Sequence, residues 1–432
     1  MNTVVQIDGK GLYSYLYPKE IYNYSKIRLI ISDFVKLIEE FLKLTNYMQN
    51  NIYQNLDLLE DLRQRGADKC FLMLADKLHK EINNRTIFRI EEYFFLARLT
   101  PYSVMYQINK MKQLDIKRFE KSSHYYQLLF LLSNIQNYNL NRISFAPWNK
   151  DLKVEGFLIV ECINHISKNE QYFRNSHILV YIEYLICKMF DDCENYSLHS
   201  KLFNIVKDKY SDLTMTYLTH IFYSFNAQYI TATNNSFDIG IHKKKFYNVV
   251  NFFFDKGFFN SYKFIPPEMF FNVINISSDL NLRFAKNFLD LYQSKLDKEV
   301  KNDIQCLSKT KILMIEGKYT NAINVLNKID MVNYQVYLVS RTYLAMIYYK
   351  ISELETLLYL IDASKHFLYR HKAELGSRYD RFLNFYLYLL RLIRVGSIDK
   401  KKLTQYKCEI KNISNIVGKD WLITEINELM KK

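Results

Sequence analysis

The sequence predicts an all-α chain, an α-solenoid of antiparallel helix hairpins with degenerate repeats in its C-terminal half. Apolar residues recur at steps of three or four from Asn23 to Met430, the spacing that gathers them along one face of a helix. Turn formers are scarce, with 10 Gly and 5 Pro in 432 residues, whereas an all-β chain needs a turn about every 8–12 residues. A short glycine–aromatic–alanine pattern at Gly317 is echoed one hairpin later. Hydrophobic residues at 49% against charged residues at 24% supply enough apolar surface for a core and exclude a disordered chain.

Taken in order, Ile27, Ile30, Ile31, Phe34, Leu37, Ile38, Phe41 and Leu42 share one face of a first long helix, with Lys36, Glu39, Glu40 and Lys43 elsewhere on it. Asn51 is a candidate cap for a helix carrying Leu56, Leu58, Leu59 and Leu62. Gly66 then permits a turn into Phe71, Leu72, Leu74 and Leu78. Pro101 predicts a break in the aromatic stretch from Glu91 to Lys112, with Thr100 as N-cap of the second part. Helical patterns follow at Phe119–Tyr138, Val154–Ser167, Gln171–Phe190, Asp212–Ile230 and Lys243–Phe254. The run Gly156–Ile163 is apolar enough for a buried strand, but no second strand signal lies near it, which favours helix. Pro266-Pro267 stops one helix, and Pro267 suits the first turn of the next. Ordinary helix and loop lengths then give about sixteen to eighteen helices.

Two polar segments interrupt the periodicity: Ser144–Lys153, which holds Pro147 and Trp148, and Thr231–Gly240. They divide the chain into an N-terminal helical domain (1–150), middle hairpins (151–236) and a C-terminal repeat region with a basic tail (237–432).

Glu316-Gly317-Lys318-Tyr319-Thr320-Asn321-Ala322-Ile323, followed by Leu326, matches the centre of a tetratricopeptide repeat. The glycine turns the chain between antiparallel helices, and the small alanine lets them approach. Ala345 and Tyr348 take the small and aromatic places of the next repeat. Leu357 falls thirty-five residues after Ala322, close to the usual period of about 34. The pattern is degenerate: Leu357 replaces alanine, Ser352 replaces glycine, and Tyr334 stands where a terminal proline is common. In this register the concave helix of the second repeat presents Thr342, Met346, Tyr349 and Lys350, and that of the first presents Lys311 and Met314. These six are the partner-binding candidates.

Ser32-Asp33-Phe34-Val35-Lys36-Leu37-Ile38-Glu39-Glu40-Phe41-Leu42, then Leu58-Leu59 and Asp68-Lys69-Cys70-Phe71, form one cluster of recognisable positions. Phe382, Asn384, Phe385, Leu389 and Leu392, with Lys419-Asp420-Trp421-Leu422-Ile423, form another. Together they resemble the front and tail of a family of large bacterial tetratricopeptide-like proteins. The resemblance implies helical repeats throughout, no assigned chemistry, and a further helical segment ahead of the region matching Ser32–Leu42.

Catalytic motifs are absent. The sequence has no GxxxxGK[ST], and Gly9-Lys10-Gly11 is too short to cradle a phosphate. Neither HExxH nor a paired ExxH occurs. Glu161 and His165 share a helix face without a third ligand, and His366 and His371 are five apart, so no metal site is expected. No GxSxG or RxxxxH appears, and the adjacent acids Glu39-Glu40, Glu91-Glu92 and Asp191-Asp192 diverge by about 100° on a helix. The expectation is a protein that is not an enzyme and needs no cofactor.

The chain carries a net charge of +14, which favours anionic partners. From Lys365 to Lys432 fifteen Lys/Arg face seven Asp/Glu. Arg378, Arg381, Arg391 and Arg394 share a helix with Tyr379, Tyr386 and Tyr388, and Lys400-Lys401-Lys402 opens the next. Arg391, Arg394, Lys400 and Lys401 are the candidate anion contacts, by which such a tail grips phosphates while aromatics stack on bases. The competing reading packs the aromatics between helices and lets the arginines reach outward. Six widely spaced cysteines without a CxxC suit a reducing compartment. With no signal peptide and no apolar run of 18 residues, the expected setting is the cytoplasm, without a membrane span. The expected partner is another protein, with nucleic acid as the alternative.

Overall fold

A computed structural model describes residues 8–49, 51–109, 116–145, 158–235, 239–329 and 333–431. Among them are twenty-two α-helices and no strand, so the protein is all-α. The count exceeds the expected sixteen to eighteen because short pieces stand alone and because Gln171–Phe190 breaks at His177. No described helix is long and apolar enough to cross a membrane. The expected boundaries at 150 and 236 lie outside the described residues, as do Pro147 and Trp148. The chain divides into two compact units, Met1–Leu131 and Leu132–Lys432.

The first unit holds α1 (Gly9–Leu16), α2 (Tyr24–Gln49), α3 (Asn51–Gln64), α4 (Asp68–Asn83), α5 (Ile90–Asn109) and the start of α6 (Ile116–Phe145). Its core is a three-helix cluster in which Leu56 and Leu59 of α3 meet Phe71, Ala75 and Leu78 of α4 and Phe95, Leu96 and Leu99 of α5. The break expected at Pro101 does not occur, and α5 runs through it. Proline in a helix interior forfeits one hydrogen bond, at about 3 kcal/mol. Burial on both sides of it, at Leu96, Ala97, Leu99 and Val104, outweighs that loss. Thr100 is accordingly no cap; its buried hydroxyl donates to the Leu96 carbonyl at 2.9 Å.

The second unit continues with α7 (Ile159–Lys168), α8 (Glu170–Ser176), α9 (Ile178–Asp191), α10 (Tyr196–Lys209), α11 (Met215–Asn235) and α12 (Ile239–Asp255). The segment 231–235, expected as loop, is the last turn and a half of α11, anchored by the fully buried Ala232. α9 is apolar all round, and such a helix belongs in the middle of a core. Its one buried acid, Glu183, accepts hydrogen bonds from the Tyr217 hydroxyl and the Asn139 amide, both at 2.8 Å, and pairs with His220 at 3.0 Å.

Then come α13 (Pro267–Leu280), α14 (Leu282–Tyr292), α15 (Lys298–Ile315), α16 (Tyr319–Leu326), α17 (Tyr334–Lys350), α18 (Leu354–Arg370), α19 (Lys372–Leu375), α20 (Ser377–Val395), α21 (Lys400–Asn412) and α22 (Lys419–Lys431). Pro267 opens α13 at its first position, as expected. Helices pack on their next and next-but-one neighbours: α13 on α14 and α15, α15 on α16 and α17, α20 on α21 and α22. Ala322, Ala345 and Leu357 are all fully buried where these helices meet. Gly317 turns the chain at φ 72°, and Ser352 takes the same left-handed conformation at φ 63° one hairpin later.

Candidate functional site

The inner faces of α11, α13, α15, α17 and α20 converge on a cavity of about 660 Å³ in the second unit. Each helix contributes residues at helical spacing: Glu268, Phe271, Asn275 and Asp279 from α13, Lys311, Met314 and Ile315 from α15, Val339, Thr342, Met346 and Lys350 from α17. This periodicity means that one continuous stripe of each helix faces the same space. The segment from Ile416 to Glu425, which leads into α22, supplies a further wall.

That segment is fastened from several directions. Lys350 pairs with Glu425 at 2.7 Å and Glu428 at 2.8 Å. Trp421 meets Tyr349 edge to face at 5.5 Å. The Val417 amide donates to the Arg381 carbonyl at 3.1 Å. Gly418, at φ 65°, runs so close to α17 that a Cβ there would stand 2.7 Å from Met346 Cε and 3.3 Å from a Phe385 ring carbon. The left-handed backbone favours glycine there, and any larger residue would also have to displace the Met346 tip and press on Phe385.

A charge network crosses the cavity. Lys243 of α12 lies 2.8 Å from both Asp279 and Asp420, and Lys311 lies 2.7 Å from Asp279. Burial works against the Lys243 ammonium, but Asp420 and Asp279 outweigh it and hold its pKa above the ordinary lysine value. Burial likewise opposes the Asp279 carboxylate, and Lys311 and Lys243 reverse the balance and keep its pKa low. Two of the four arginines of α20 line the cavity, and they differ. Burial lowers the pKa of Arg378, with Glu268 opposing, whereas Arg381 is lowered first by burial and then by Arg378 itself.

Five of the six residues singled out by the repeat register, Lys311, Met314, Thr342, Met346 and Lys350, line this cavity. Tyr349 does not, and packs on Trp421 instead. Thr342 and Met346 are buried, and the Thr342 hydroxyl donates to the Leu338 carbonyl at 2.8 Å. The candidate anion contacts lie apart, at the end of α20 and the start of α21. Arg391 donates to Glu409 at 2.9 Å and sits 4.7 Å over the Tyr388 ring, while Arg394, Lys400 and Lys401 are exposed. Tyr379, Tyr386 and Tyr388 are buried between helices, in line with the packing reading. Arg378 and Arg381, however, line the cavity and do not reach outward. The signal for them was their spacing with Phe382 and Phe385, which puts them on the apolar side of α20.

Elsewhere, His371 pairs with Glu374 at 2.7 Å, and His165 packs against Phe173. No group of three or more metal-ligating side chains is found among the described residues. No family model, curated protein or solved structure matches the chain.

Proposed function

We propose that the chain is a helical-repeat scaffold of the α-solenoid type that binds another protein. The observation that carries the reading is the convergence of one stripe from each of α11, α13, α15, α17 and α20 on a shared inner surface. Stacked helix hairpins of this kind present concave surfaces suited to segments of partner chains. The inner surface already holds an extended-to-helical segment, Ile416–Glu425, through ion pairs and an aromatic contact, the kinds of contact a partner segment uses. The degenerate tetratricopeptide pattern and the likeness of both chain ends to large bacterial proteins of that type support the same reading. It assigns no catalytic step and no cofactor, and the free cysteines suit a cytoplasmic setting.

Affinity capture of the intact protein from its own cells, with and without nuclease, tests this. A partner that survives nuclease and is lost on Met314→Glu supports the scaffold. Loss of every partner on nuclease treatment overturns it in favour of nucleic-acid binding. That second reading draws on exposed Arg394, Lys400 and Lys401 at adjoining helix ends. It requires binding that weakens steeply with salt. Fluorescence anisotropy on DNA and RNA, with Arg391, Arg394, Lys400 and Lys401 reversed in charge, reads it directly, and we expect only weak binding.

A further inference from the structure

The cations lining the cavity are matched unequally. Lys243, Lys311 and Lys350 each have a carboxylate within 2.8 Å. Lys419 donates to the Ile413 carbonyl at 3.1 Å, and the charge of Glu268 acts on Arg378. Arg381 has no such match. Among the described residues its guanidinium makes no hydrogen bond or ion pair, and its Nε is buried without a partner. A guanidinium offers five donors in a planar fork suited to a carboxylate or phosphate. Leaving a buried donor unmatched costs about 1–3 kcal/mol, more for a charged group. Arg378, one turn earlier on the same helix, adds a second positive charge on the same side.

We propose that this cavity binds a small molecule bearing a carboxylate or phosphate group, with the oxyanion seated on the Arg381 fork and Arg378 beside it. The volume of about 660 Å³ lies within the range of small-molecule sites, roughly 300–1,000 Å³. Tyr229, Phe271 and Phe382 supply apolar surface for the body of the ligand, and the Asn275 amide supplies a further polar contact. The inference goes beyond the scaffold reading and does not rest on it.

Isothermal titration at constant ionic strength, with inorganic phosphate in one arm and succinate in the other, decides the matter and separates phosphoryl from carboxyl ligands. Saturable one-site binding of at least one anion is expected. Arg381→Met weakens it at least tenfold, the scale of losing a charge-assisted bidentate pair. Lys309→Gln, which removes an exposed cation of α15 that does not line the cavity, leaves it unchanged. The absence of saturable binding of either anion to the wild-type protein at millimolar concentration overturns the proposal, as does equal affinity in Arg381→Met. Equal loss in Lys309→Gln also overturns it. If circular dichroism shows that Arg381→Met does not fold, Arg381→Lys takes its place. It keeps the charge and removes the fork, so a several-fold loss is expected and unchanged affinity counts against the site.

Discussion

Two apolar helices of this chain have opposite fates. α9, in the second unit, buries nearly every side chain from Leu179 to Phe190. α2, in the first, buries Ile27 and leaves Leu29, Phe34, Leu37, Phe41, Leu44 and Met48 each more than half exposed. Both are rich in Leu, Ile and Phe, so hydrophobic content alone does not separate them. Distribution does. α9 is apolar on every side and can sit only among other helices, whereas α2 keeps Asp33, Lys36, Glu39, Glu40 and Lys43 on the rest of its circumference. The lesson is that periodicity tells which face of a helix is able to pack, while the number of neighbours decides whether it does. α7, α8, α10 and α11 all contact α9; α3 is the main contact of α2.

The sharpest way to break this comparison is to cut equivalent groups from both helices. Leu185→Ala on α9 should cost about 2–5 kcal/mol through lost burial and the cavity left behind. Leu37→Ala on α2 should change stability by no more than about 0.5 kcal/mol. Urea unfolding of the two variants gives both numbers, and similar losses would mean that the α2 face is covered in solution. Next in size is Glu183→Leu, which strips the buried acid from Asn139, Tyr217 and His220. Removing one member of a buried ionic pair costs about 3–5 kcal/mol, reduced here by the improved packing of leucine.

A smaller effect is expected at the repeat positions. Ala322→Leu and Ala345→Leu should each destabilise by about 1–3 kcal/mol through overpacking, since neither side chain has any exposed surface. Wild-type melting in both would break the register. The finest probe is pH. Burial would lower the His220 pKa, but the charge and hydrogen bond of Glu183 outweigh it and hold it above the ordinary histidine value. A histidine raised in the folded state binds its proton more tightly there than when unfolded. Its contribution is therefore complete below about pH 6.5 and is lost as the pH rises through the folded-state value. Denaturant midpoints across pH 5.5–8.5 should show this decline, about 1 kcal/mol per unit or less, and Glu183→Gln should abolish it.

Much of the fold was legible from spacing. Gly317, Pro267 and the buried Ala322 and Ala345 each follow from a local rule about left-handed turns, first-turn prolines or close helix approach. The misjudged segments were those where tertiary burial overrode a local preference. Pro101 is carried inside α5 by the apolar residues around it, and Ala232 holds a polar-looking stretch in α11. The cavity was half legible. Lys311, Met314, Thr342, Met346 and Lys350 could be placed on inner faces because a repeat supplied the register. The opposite wall could not, because its contacts join distant parts of the chain: Lys243 and Asp420 are 177 residues apart. A local pattern carries no record of such a pairing, and Arg381 stands out only once its neighbours are in place.

The wall supplied by Ile416–Glu425 has a consequence for the order of assembly. Every helix stripe that faces the cavity, from α11 to α20, leaves the ribosome before this segment does. At about 5–20 residues per second, the stretch between Phe382 and Ile416 takes a few seconds to synthesise. During that interval Lys350 has neither Glu425 nor Glu428 to pair with, and Lys243 has only one of its two carboxylates. A nascent chain thus exposes a more strongly cationic inner surface than the finished protein, and whatever anion reaches it then meets the cavity with one wall still missing.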